Sequence, residues 1–361
     1  MFSPLLLDIE RDLGIGHATA SSFFLIMSIG YSPMVLLSGF VASVVRHRGS
    51  ILLSTLVITV SLVIISVGQN LVVLQLGMLF LGIGSGLYTA SGISCVINAS
   101  HPRHVGKAIA IHESGANLSS IAAPLIALLL LGVLGWRRIL DVLAGACLLS
   151  GVIFLIFDQH SSGRGHGPRL KTVSIFFKNR NFWILALFFI LTACAALGIY
   201  SILPTYLISE RHLSRQLANG LISVSRIIGV LIVFFSGALI DKFGAVKIMA
   251  WAFGITGLAT IFLGFAGGVA LAVSVVLQPM LATAFFPAGL AILASIGPPE
   301  LRNIGISLLT PFALLLGGGF FPTILGILGE NERFYLGIGA LGILMVVCLP
   351  FIGLVKPAVQ E

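Results

Sequence analysis

Apolar runs of roughly 20 residues or more, each closed by a short break of charged, Gly, Pro or Asn positions, follow one another along the whole chain. At 1.5 Å per residue a helical run of that length crosses the roughly 30 Å hydrocarbon core of a bilayer. Strands of a membrane barrel would read instead as ten-residue segments of alternating polarity. The pattern predicts eleven helices, at residues 21–45, 50–67, 71–99, 105–134, 138–157, 182–207, 216–238, 245–265, 269–296, 302–327 and 334–355. Between the fifth and sixth, residues 158–181 carry Gly163, Gly165, Gly167, Pro168 and five basic residues, the composition of a flexible linker. The chain therefore divides into residues 1–157, a linker at 158–181, and residues 182–361.

Composition agrees with a lipid solvent. With 58% hydrophobic and 9% charged residues, a water-soluble domain of 361 residues could not cover its own surface. The fold class is an all-α integral membrane protein. The net charge of +8 does not imply nucleic-acid binding, because Lys and Arg sit between the apolar runs and form no continuous stripe. Counted over alternate loops, one side holds Arg46, Arg48, Arg103, Lys107, Arg164, Arg169, Lys171, Lys178, Arg180, Lys242, Lys247, Arg302 and Lys356, which is thirteen. The other holds Arg11, Arg137, Arg138, Arg211, Arg215 and Arg333, which is six. Basic residues resist translocation, so the richer side is expected to be cytoplasmic, with the C-terminus inside a bacterial or archaeal plasma membrane. Cys95, Cys147, Cys194 and Cys348 lie within apolar runs without a C-x-x-C pair, which reads as buried packing and implies neither metal nor cofactor.

The chain repeats itself. Pro4, Leu7, Glu10, Arg11 and Leu13 recur as Pro204, Leu207, Glu210, Arg211 and Leu213 at an offset of 200, and Ser38-Gly39 recurs as Ser236-Gly237 at 198. Parallel halves related by an axis along the membrane normal follow from this. In the second half the Pro204 segment ends an apolar run that starts near Phe182, whereas the matching run in the first half would begin about 18 residues before Met1. The repeat thus leaves a first span unaccounted for and places residues 4–13 as the external loop that would follow it.

The loop after the second apolar run of each half carries the most specific resemblance. The second half reads GALIDKFGAVK, with Gly237, Leu239, Asp241, Lys242 and Gly244 fitting the pattern G-x-L-x-D-(R/K)-x-G-(R/K) and Lys247 two places late. The first half keeps Gly39 but has Ser43 in the Asp position. With LGIGSG at Gly82, Gly84 and Gly86 and GWR at Gly135 to Arg137, the chain resembles the major facilitator superfamily, lacking most of its first transmembrane helix. The resemblance implies about 11 helices of an expected 12, alternating access, and a conformational latch at Gly39, Gly237, Asp241, Lys242, Gly244 and Lys247. The fifth helix of the family pattern, at Pro124, lacks the paired glycines of drug/proton antiporters, which argues against drug export.

Ionisable residues at membrane depth are costly and mark candidate chemistry. Arg226 lies about ten residues from either end of its predicted helix, where it could bind a carboxylate bidentately or serve as a structural partner for helix-end carbonyls. Some anion-carrying families within the superfamily that the chain resembles, including oxalate and monocarboxylate porters, have an Arg in the membrane interior of the second half. His112 and Glu113 lie about two turns into a first-half helix and are candidates for proton coupling, or Glu113 for pairing with Arg226. Asn117, Tyr88, Tyr200, Gln278 and Thr310 complete the candidate substrate-binding set, and Tyr206 is a further polar side chain that could line the cavity. Gly317, Gly318 and Gly319 are a candidate hinge or a close-packing point. The expected function is secondary transport of a small organic anion by a monomer in the lipid bilayer, with a proton as coupling ion. A non-transporting sensor or assembly subunit of the same fold is the alternative. No H-E-x-x-H, G-x-S-x-G, paired-Asp or phosphate-loop motif points to an enzyme.

Overall fold

A computed structural model describes residues 2–101, 104–158, 163–165, 176–294 and 302–354, and these are almost entirely helical. The elements are α1 (Phe2–Leu13), α2 (His17–Val67), α3 (Leu71–Ala99), α4 (Val105–Phe157), α5 (Arg180–Ala193), α6 (Ile199–Ser209), α7 (Arg215–Phe243), α8 (Ala245–Phe265), α9 (Gly268–Ala294), α10 (Arg302–Ala313), α11 (Phe321–Gly329) and α12 (Phe334–Cys348). A π-helical turn at Cys194–Gly198 joins α5 to α6, and another at Leu314–Phe320 joins α10 to α11. Among the described residues, eight helical segments are long and apolar enough to cross a membrane.

Two helices far exceed the length of one crossing. Within the 51 residues of α2, Arg46 has φ 64° and ψ 168°; within the 53 of α4, Gly135 has φ 71° and ψ 165°. Each non-helical residue breaks its helix into two stretches of crossing length. Gly244, at the repeat offset of 198 from Arg46, separates α7 from α8 with φ 85° and ψ 146°. The repeat is therefore conformational as well as sequential. Glycine takes this backbone freely, whereas Arg46 holds it at a cost of about 1–3 kcal/mol.

Residues 4–13 are not a loop. They belong to α1, whose Phe2, Leu5, Leu6 and Ile9 are buried. Their i, i+3, i+4, i+7 spacing gives one apolar helix face, and Pro204 of the matching segment likewise lies inside a helix, so the repeat-based placement of a loop here does not hold. The face packs against α6, the element that holds Pro204, so segments matched at an offset of 200 are also neighbours in space.

Small residues set the helix spacing. A Cβ on Gly86 would stand 2.8 Å from Tyr31 O, and one on Gly84 would stand 3.1 Å from Ile58 N, so neighbouring glycines of α3 admit both stretches of α2. Arginines close the helix ends. Arg137 Nη1 donates to Ser66 O at 2.9 Å and Gly68 O at 2.5 Å at the end of α2. In the second half Arg211 donates to Gly264 O, 198 residues beyond Ser66. Equivalent helix ends are thus capped by arginines from different loops.

The two parts of the chain meet along α2. Ser32 Oγ donates to Pro311 O at 3.1 Å, a Cβ on Gly319 would stand 2.7 Å from Ser28 Cβ, and Gly326 lies against His17 and Ser21. At the same end of the bundle, Arg215 Nη1 and Nη2 donate to the Asp8 carboxylate at 2.7 and 3.1 Å.

Candidate solute-binding site

Arg226 stands 11 residues into α7, roughly 17 Å from its start and 26 Å from its end at 1.5 Å per residue. Its Cζ lies 3.5 Å above the centre of the Tyr200 ring, a cation–π contact. Its Nη2 donates to Ala196 O at the long distance of 3.4 Å, and its Nε is buried without a hydrogen-bond partner. Among the described residues no carboxylate pairs with it. The guanidinium is thus held by its face while part of its donor edge stays unused.

The π-helical turn at Cys194–Gly198 explains the setting. Widening the helix shifts its i→i−4 ladder and frees carbonyls inside the membrane, which then need other donors. Ala196 O takes Arg226, and Ala195 O takes Gln278 Nε2 at 3.0 Å. Gln278 is fully buried and also reaches Thr260 Oγ1 at 3.3 Å, while its Oε1 lacks a partner. Tyr200 connects this cluster to the first part of the chain, because its hydroxyl donates to Ser120 O of α4 at 3.0 Å.

The structure therefore brings Arg226, Tyr200 and Gln278 together. Tyr88 and His112 form a second group, with rings stacked at 5.8 Å between centroids. Thr310 is exposed on α10, and Tyr206 is buried with its hydroxyl donating to Leu263 O at 2.9 Å. The side chains of Glu113 and Asn117, and Gly237 of the latch loop, lie outside the described residues. Asp241, Lys242 and Lys247 are exposed, and Gly244 supplies the positive φ that turns the loop. Gly317 packs against Ala193 and Cys194 N, so the two π-helical turns touch through the glycine cluster. An apolar cleft of about 260 Å³ lies between Ile29, Ser32, Pro33 and Leu36 of α2 and Pro311 to Leu315, away from the cation. Ser120 and the two alanine carbonyls escaped sequence reading, because backbone acceptors leave no mark in residue type.

A bundle of membrane-length helices with a cation well inside one of them fits the architecture of secondary transporters. Residues 1–322 match the model of the Major Facilitator Superfamily, and the chain belongs to that family of membrane transporters. Curated relatives include probable nitrate transporters NarT of Staphylococcus aureus strains JH9 and Newman, 23% identical over 274 residues, covering 75% of this chain and 69% of each relative. Among solved structures, a bacterial homologue of the human lysosomal transporter Spinster, in an inward-facing and occupied conformation, superposes with a TM-score of 0.79 at 16% identity, covering 98% of this chain and 92% of that one. A point mutant of the nucleoside transporter NupG superposes with a TM-score of 0.81 at 15% identity, covering 97% of this chain and 94% of that one. These likenesses agree on the fold.

Proposed function

We propose that this protein is a secondary carrier that moves a small organic anion by alternating access, with Arg226 as the anion-binding group and a proton as the coupling ion. The observation that carries this reading is the unused donor edge of Arg226. A guanidinium at membrane depth costs at least about 2.5 kcal/mol, and its ring contact and one long hydrogen bond compensate that weakly. A planar oxyanion offering two oxygens to the free edge would complete the pairing. Carboxylates meet that description. So does nitrate, which the name of the Staphylococcus relatives brings into the panel of solutes to test.

The two repeat-related parts, 1–157 and 182–361, rock about this site as halves. The closed α1 end faces outside, and the end bearing Asp241 and Lys242 faces the cytoplasm, as the basic-residue asymmetry indicates. Glu113 is seven residues, two helical turns, before Ser120 in the sequence, and this spacing supports Glu113 as the proton carrier.

Uptake into proteoliposomes of small carboxylates, nitrate, sugars and cations, with and without a pH gradient, tests the reading. Accumulation of anions alone, faster with the gradient, is expected. Glu113→Gln should remove the gradient's effect and leave counterflow exchange. Uptake of sugars or cations with no anion uptake overturns the proposal.

A further inference from the structure

A second ionisable cluster lies far from Arg226, at the closed end of the bundle. Glu10 of α1 is buried, at 7% exposure, and its Oε2 is 2.9 Å from Nδ1 of His17, the first residue of α2. Its Oε1 is buried and without a hydrogen-bond partner. The second part of the chain covers this pair. The Phe334 ring packs on the His17 ring at 5.4 Å between centroids, and Glu330 Oε1 accepts the N–H of Ala18 at 2.9 Å. Glu210 stands behind, accepting the N–H groups of Phe334 and Tyr335 at 2.7 and 3.1 Å. Three carboxylates, Glu10, Glu330 and Glu210, thus act on one imidazole, and two of them come from the far half of the chain.

We propose that Glu10 and His17 form a proton-binding site that locks this end of the carrier. One proton from the adjoining water, shared between Glu10 Oε2 and His17 Nδ1, is held most tightly when Glu330 closes over the pair; the burial that Phe334 brings works the other way, and the carboxylates outweigh it. With the proton bound, an imidazolium lies among the three carboxylates and draws Glu330 toward α2. Without it, the same carboxylates face one another around a neutral ring and the closed end is disfavoured. Opening hydrates the pair and returns the proton to the water it came from. Closure is therefore favoured at low pH, and the advantage fades as pH rises and the closed pair loses its proton.

The repeat offers a control built into the protein. At the offset of 198 the counterpart of His17 is Arg215, a permanent cation that holds Asp8 across the same end at 2.7 Å. One half thus closes with a fixed charge and the other with a titratable one. Glu10 and His17 stand seven residues apart across the α1–α2 turn, and reading residues 4–13 as a loop hides their convergence.

The inference rests on the alternating-access reading and is independent of Arg226. Spin labels at R11C and N331C, both exposed positions at this end, report its opening by double electron–electron resonance in the reconstituted full chain, with the native cysteines replaced. Between pH 8.5 and 5.5 the closed population should grow relative to the open one, by up to about tenfold per pH unit for one linked proton. His17→Gln and Glu10→Gln, which keep polar side chains of similar size, should each flatten that response. Two populations whose ratio ignores pH, or a His17→Gln carrier with the wild-type response, would overturn the proposal and leave alternating access standing. A single distance at every pH would overturn both.

Discussion

Gly319 is a close and testable point of contact between the two parts of the chain. A methyl group added there would stand 2.7 Å from both Cβ and Oγ of Ser28 and 3.1 Å from Cα of Leu25. Carbon atoms pack best at about 3.5–4.0 Å, and Leu25 Cα is backbone that cannot rotate aside, so α2 must retreat by roughly 1 Å. Overpacking of this kind costs about 1–3 kcal/mol. Under the proposed alternating access the contact joins the parts only while the α1 end is closed, so Gly319→Ala should lower the closed-to-open ratio by about 5- to 150-fold. Alanine is the better helix former by about 1 kcal/mol, so loss of helix would not explain the change. The assay is the distance distribution between labels at positions 11 and 331. Adding Ser28→Gly removes the two 2.7 Å contacts, leaves only Leu25 Cα at 3.1 Å, and should restore most of the closure, as a double-mutant cycle would report. An unchanged distribution in Gly319→Ala, or no recovery in the pair, refutes the packing argument.

Two further outcomes follow from single contacts. Tyr200→Phe keeps the ring beneath Arg226 but removes the donor to Ser120 O, worth about 0.5–1.5 kcal/mol. Maximal uptake should change by about 2- to 12-fold while apparent affinity for the anion stays within about twofold, and a change confined to affinity would contradict the tether between halves. Arg137→Gln uncaps the carbonyls of Ser66 and Gly68 and breaks the contact with Asp12 at 2.7 Å, so the detergent-solubilised protein should lose about 2 kcal/mol of stability. An unaltered thermal midpoint would show those contacts to be idle.

What the sequence made legible follows from what lipid demands. Runs long enough to span a bilayer must be helical, so the all-α membrane class was legible from hydropathy alone. The repeat at offsets of 198 and 200 proved to be physical, down to the shared backbone conformation of Arg46 and Gly244. Arg226 stood out because a mid-helix charge is rare, and the structure gives it Tyr200 as a partner from the candidate set. Its other neighbour, a carbonyl of the π-helical turn, was illegible, because CAALG reads like any apolar stretch and the extra residue per turn is settled by packing against Gly317. Residues 4–13 misled for a related reason. The 200-residue offset made them the loop after a first span, whereas the apolar face at positions 2, 5, 6 and 9 forms a helix once α6 covers it. Gln278, a candidate lining residue, is fully buried because a freed carbonyl needed a donor.

Equilibrium binding of a radiolabelled anion, taken from whichever carboxylate or nitrate the uptake panel selects, tests the central claim most directly when measured on the purified carrier and its Arg226 variants. Arg226→Lys retains the charge but loses the planar fork, and should weaken binding about tenfold. Arg226→Ala removes charge-assisted hydrogen bonds of about 1.5–3 kcal/mol each, and should weaken it by at least about 100-fold while the protein keeps its helical content. Arg226→Ala that binds the anion as tightly as the unaltered protein would contradict the account.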